Sequence, residues 1–156
     1  MAQDIKIERK LILDTAGGIF HKVRNGSGGA LAAGDVVIWE TSTTNKSQVT
    51  TTTSQDSGLV AGVMIDSCAS LATGTMQSTG YYITENLKVD GTTDIAVGDF
   101  LSTFTTAKIA AKASTGTAGK FAIALEAYAT NDSAGTIKAI LVFGNTTDNG
   151  SLVASV

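Results

Sequence analysis

The feature that most constrains this chain is its punctuation. Short runs suited to strands recur along its length, each bounded by Gly, Asn, Asp or Ser: 19–24, 35–40, 48–53, 59–66, 81–89, 99–104, 108–112, 120–128 and 136–143. Strands this short and this evenly spaced predict a sandwich or a barrel. Proline is absent and glycine occurs 17 times, so every turn must be made with Gly, Asn, Asp or Ser. Threonine and valine are plentiful, and β-branched side chains fit a pleated surface. The expected fold class is all-β, compact and sandwich- or barrel-like, with at most a short helix.

Two segments leave alternatives open. Ser67 to Met76 reads as a short helix or a loop. Lys120 to Ala129 is Ala-rich and helical by propensity. Phe121, Ile123 and Leu125 alternate there with Ala122, Ala124 and Glu126, which favours a strand. An internal repeat also shows through. Ala33-Gly34-Asp35-Val36-Val37 is echoed 64 residues later by Val97-Gly98-Asp99-Phe100-Leu101. After each copy come a short strand, a Gly turn and a longer strand, which suggests a β unit used twice.

A length of 156 residues suits one domain and is enough to bury a core without staples. Cys68 is the single cysteine, so no intrachain disulfide and no thiolate metal cluster can form. Residues 1–10 hold no apolar stretch of the secretory kind, so no signal peptide is expected, and no run of about 18 apolar residues is present, so no membrane partner is expected. A net charge of −3 gives no basic footprint for nucleic acid. The charge is uneven, however. Residues 1–24 carry five cations against three anions, a local +2, which leaves −5 on the rest. A basic arm on an acidic body suggests that the two meet different surfaces.

The sequence carries no recognisable catalytic constellation. His21 is the lone histidine, and no nucleophile elbow, phosphate loop, dinucleotide fingerprint or His-Glu-x-x-His accompanies it. Cys68 reads as a small buried thiol. Asp90-Gly91-Thr92-Thr93-Asp94, with Asp99 beyond, offers oxygen ligands for calcium, yet it lacks EF-hand spacing; an Asp-Gly turn is the favoured reading. Asp35 and Asp99 could form a glycosidase-type pair. Their matching places in the repeat point instead to turn-forming carboxylates. Trp39, Tyr81 and Tyr82 could build a sugar platform, but neighbours on a strand face opposite ways, so core packing is favoured. No catalytic residue, metal or cofactor is assigned, and the chain is expected not to be an enzyme.

The segments Ala32–Glu40 (AAGDVVIWE), Gly58–Asp66 (GLVAGVMID), Leu87–Gly91 (LKVDG), Ile95–Ser102 (IAVGDFLS), Gly119–Tyr128 (GKFAIALEAY) and Gly135–Phe143 (GTIKAILVF) come in a telling order. In that order the chain resembles the small cement proteins that decorate phage capsids, with an architecture similar to lambda-type head proteins. The resemblance spans about residues 30–143. It implies a β-rich protein made in the host cytoplasm and carried on the virion's capsid surface. There it would clamp neighbouring major capsid protein subunits, with copies of itself as a trimer at local three-fold positions. The alternative is a receptor- or carbohydrate-binding β module of a virion fibre or cell-surface appendage.

The sequence departs from that family in its longer, charged N-terminal stretch. The expected layout is an arm over 1–24, a decoration domain over 25–143 and a flexible tail over 144–156. Ile5 and Ile7 alternate with Lys6 and Glu8, and Arg9 and Lys10 lead into Leu11-Ile12-Leu13. The candidate capsid contacts are Ile5, Lys6, Ile7, Arg9, Lys10, Leu11, Ile12 and Leu13. The same alternation would equally suit a first strand of the domain's own sheet.

Overall fold

The structure, a computed structural model, describes residues 18–41, 48–80, 82–114, 119–129 and 134–142. Among these residues it is all-β, with no helix. Ten strands appear in chain order: β1 (Phe20–Asn25), β2 (Val36–Trp39), β3 (Gln48–Thr50), β4 (Val60–Met64), β5 (Thr73–Ser78), β6 (Tyr82–Val89), β7 (Phe100–Thr103), β8 (Ala110–Lys112), β9 (Ala122–Ala124) and β10 (Gly135–Leu141).

The strands close into two five-stranded barrels of identical topology. The first runs β1-β3-β2-β4-β5 and returns to β1; the second runs β6-β8-β7-β9-β10 and returns to β6. One pair in each barrel is parallel, β1 with β3 and β6 with β8, and the others are antiparallel. Even the isolated bridges match, Leu31 with Cys68 and Ile95 with Tyr128. The repeated Gly-Asp segments therefore open the equivalent strands β2 and β7. Closure matters for a chain of three- to eight-residue strands, because an open edge is a template for unwanted pairing and a barrel has none.

Alternation along β2 explains how two small barrels become one body. Val37 points inward and joins Val23, Leu31, Val49, Ala61, Met64, Cys68 and Met76 in the first core. Val36, on the opposite face, packs with Val60 and Val63 against the second barrel. There they join Leu87, Val89, Ile95, Leu101, Phe121, Ile137 and Leu141 in one continuous cluster. β4 is consequently buried along all five residues, since both of its faces are covered.

Several expectations change in detail. The 67–76 segment, read as helix or loop, ends in strand β5. It lacks apolar alternation because two adjacent residues, Met76 and Gln77, are both buried, and the Gln77 amide is satisfied by donating to the Ile83 carbonyl (2.9 Å). The strand expected over Lys120–Tyr128 shrinks to Ala122–Ala124. Beyond it, Leu125 N–H bonds the Lys138 carbonyl (2.9 Å) and Lys138 N–H bonds Glu126 Oε2 (2.9 Å), so the chain bends away. Residues 20–24, assigned to the arm, form most of β1 and close the first barrel between β3 and β5. Finally, β6 carries a bulge. Leu87 pairs with Ile137 and Thr84 with Ala139, so one extra residue lies around Glu85–Asn86.

Candidate interaction surface

The two Gly-Asp turns are built alike. Gly34 and Gly98 take left-handed backbones (φ 85° and 90°), which a side chain would strain. Asp35 N–H bonds the Ala32 carbonyl and Asp99 N–H bonds the Ala96 carbonyl, each at 3.1 Å. In return Ala32 N–H donates to Asp35 Oδ2 and Ala96 N–H to Asp99 Oδ2, each at 2.8 Å. The turn role read from the repeat holds at both places.

Their surroundings differ. Asp35 is 1% exposed and Asp99 22%. Asp35 lies at the seam between barrels, where Lys88 Nζ reaches Oδ1 at 2.5 Å and Lys108 Nζ stands 3.9 Å from Oδ2. Around it, Lys88 N–H donates to the Gly34 carbonyl (3.1 Å) and Val36 N–H to the Lys108 carbonyl (2.8 Å). Lys108 holds an unusual φ of 76°, and its ammonium also donates to the Ala30 carbonyl (2.6 Å). A Cβ on Gly34 would run into the Asn86 carbonyl, at the β6 bulge. Asp99 meets only its own barrel's Lys112 among these cations, at 2.8 Å.

A second clasp closes the seam. The buried Thr103 hydroxyl donates to the Ser54 carbonyl and accepts from Ser57 N–H, both at 2.8 Å, while Asp56 N–H bonds the Thr103 carbonyl (3.2 Å). Beside the seam lies an open groove whose apolar lining includes Phe20, Met64, Ile65 and Ile83, with Gln77 and Glu85 as polar members. Phe20, Ile65 and Ile83 are 40–44% exposed.

The other singled-out residues stay apart. The candidate contacts Ile5 to Leu13 lie outside the described residues. His21 sits on the exposed part of β1. Cys68 is buried, its thiol donating to the Ala72 carbonyl (3.3 Å). Asp90 forms the expected Asp-Gly turn, its Oδ2 accepting Thr92 N–H (3.0 Å) and the Thr92 hydroxyl. Asn25, 0% exposed, makes the matching turn in the first barrel with Ser27 (2.9 Å). Asp35 and Asp99 head different barrels, each engaged by its own turn and by lysine. Trp39 and Tyr82 are likewise on different barrels. Among the described residues no group of three or more His, Cys, Asp or Glu is placed to hold a metal. Sequence reasoning missed Lys88 and Lys108, which carry no signal of their partner 53 residues or more away.

No protein-family model and no curated protein matches the chain. Among solved structures, it is similar to the head fiber gp8.5 N base of bacteriophage phi29. The TM-score is 0.54 at 14% identity, over 82% of this chain and 97% of that one. The likeness is one of fold.

Two carboxylates sit below their ordinary range. Asp66 is lowered chiefly by the bond from Thr75 N–H (2.7 Å), opposed by burial and aided by the Thr75 side chain and the charge of Lys22. For Asp99, burial pushes upward, but the bonds from Lys112 and Ala96 N–H and the charge of Lys112 outweigh it. A carboxyl depressed in the fold contributes stability above its unfolded pKa and loses it as pH falls through its folded pKa. The melting temperature should therefore fall on acidification through and below the ordinary aspartate range. Asp66→Asn should lessen that fall, read from thermal melts across pH. The seam gives a second test. Asp35→Ala strips a buried acceptor from Ala32 N–H and Lys88 and should cost about 1–3 kcal/mol. Lys112→Ala, at the exposed counterpart, should cost less than about 1 kcal/mol. Urea denaturation of both variants measures the contrast.

Proposed function

We propose that this chain is a structural protein of a phage virion that binds the outside of the head. The likeness of its double barrel to a head fiber base is the observation that supports this reading most. The resemblance of residues 30–143 to capsid cement proteins points the same way. On this reading copies of the chain, as trimers at local three-fold positions, clamp neighbouring major capsid protein subunits. Many modest contacts repeated over a shell then sum to a large stabilisation. The proposal includes no catalytic step.

Attachment is assigned to residues 5–13, in which Ile5, Ile7 and Leu11 to Leu13 accompany Lys6, Arg9 and Lys10. Such a stretch suits strand addition to a neighbour's sheet, where backbone hydrogen bonds give affinity and alternate side chains give specificity. A second reading is favoured by the neighbour's description as a fibre base: the barrels would support a receptor- or carbohydrate-binding module, which glycan-array binding would reveal.

Pelleting purified protein with undecorated capsids tests the first reading, with saturable co-sedimentation expected. Removing residues 1–13 should leave the melting temperature nearly unchanged while co-sedimentation collapses. Full-length protein that never pellets would count against head binding. A stable truncated protein that still decorates heads would defeat the arm's role alone.

A further inference from the structure

We propose that copies of this chain join head to tail by repeating, between chains, the contact that joins the two barrels within one chain. The two barrels duplicate one topology. Each barrel has a turn face, bearing the Gly-Asp turn, and a cationic face on its first strand. Within the chain the turn face of the first barrel meets the cationic face of the second, Asp35 on Lys88 and Gly34 on Asn86. Two faces of the same kinds are left over. They are the turn face of the second barrel and the cationic face of the first.

The leftover turn face has the form of a contact lacking its partner. A Cβ on Gly98 would meet nothing within 4 Å, whereas its counterpart Gly34 lies against backbone. Val97, at the tip of the turn, is 64% exposed. Val36 pairs with Val63, and at the equivalent ladder position Phe100 pairs with Ile123. The valines are buried in the seam, while Phe100 and Ile123 are only half-buried. The apolar residues that cement the internal seam thus have apolar counterparts still partly open to solvent, with the Lys120 ammonium 5.3 Å from the Phe100 ring and Lys112 on the neighbouring Asp99 carboxylate (2.8 Å).

The leftover cationic face complements it. Lys88 pairs with Thr136 on β10, and Arg24 pairs with Thr73 on β5, which makes Arg24 the first-barrel counterpart of Lys88. Arg24, Lys22 and Phe20 alternate along the outer side of β1, and all three are exposed. β1 has no bulge, so an incoming Gly98 turn would lie along these side chains, with Asp99 toward Arg24 and Lys22 and Val97 toward Phe20. Because the two faces differ, the contact is heterologous and propagates from copy to copy, closing into a ring where the rotation permits. The inference stands on the duplicated fold and holds whatever surface the assembly meets on a head.

Light scattering and sedimentation of the full chain test it. Wild type should be larger than a monomer when concentrated. Arg24→Glu, Asp99→Lys and Val97→Arg should each weaken association about tenfold or more, by like-charge opposition or by burying a charge. Val97 projects from the fold, so Val97→Arg should keep the wild-type melting temperature and isolates the interface should Asp99→Lys weaken the turn. The decisive arm mixes Arg24→Glu with Asp99→Lys. One keeps a sound turn face and the other a sound cationic face, and the two altered faces bear opposite charges, so the mixture should regain association that neither variant shows alone. A wild type that stays monomeric at every concentration, or folded variants that associate as tightly as wild type, would overturn the proposal. Capsid pelleting is read separately, so loss of self-association and loss of head binding remain distinguishable.

Discussion

The carboxylate of Asp35 is the constraint around which the rest of this molecule is arranged. A charge that is 1% exposed must be compensated where it lies, because desolvating it alone would cost several kcal/mol or more. Its own turn supplies one hydrogen bond, from Ala32 N–H, and the second barrel supplies two lysines. Those lysines come from β6 and from the turn before β8, so compensating one charge fixes two elements of the second barrel against the first. The valines of the seam add adhesion, which is non-directional; the ion pair and the Gly34–Asn86 contact fix how the two barrels are turned.

Duplication explains why so plain a sequence folds this way. Only 16% of its residues are charged, and about half of its apolar residues are small ones such as Ala and Val, so a single large core is hard to fill. Two narrow barrels need only slender interiors, and Phe121 is the bulkiest fully buried side chain in either. Closure removes the sheet edges that Thr-rich strands would otherwise expose. Side by side, the barrels hide one turn face and leave its twin in solvent. The chain therefore carries two versions of one device, one engaged and one open.

Much of this was legible in the sequence, for local reasons. The Gly-Asp repeat announced β2 and β7 because a left-handed glycine followed by a turn-forming aspartate leaves a mark within three residues. β6 was readable from its length and from turn residues on both sides. β5 was not, since TGTMQS contains glycine, does not alternate and buries a glutamine whose partner, the Ile83 carbonyl, belongs to another barrel. The parallel pairs and the closures were equally hidden, because pairing between strands far apart in sequence has no local signature. For the candidate surface, Asp35 was recognised as a turn residue, but its second role depends on lysines that only the packed barrels bring near.

Sharing the Asp35 seam and one apolar cluster, the two repeats should unfold as one cooperative body. Trp39, the single tryptophan, lies in the first barrel and reports on it alone. The direct measurement is equilibrium urea unfolding, followed by Trp39 fluorescence and by amide hydrogen exchange of β6, β7 and β10 in the second barrel. One cooperative unit predicts coincident transitions with the same midpoint and slope. Separate transitions, with either barrel surviving the loss of the other, would contradict the account.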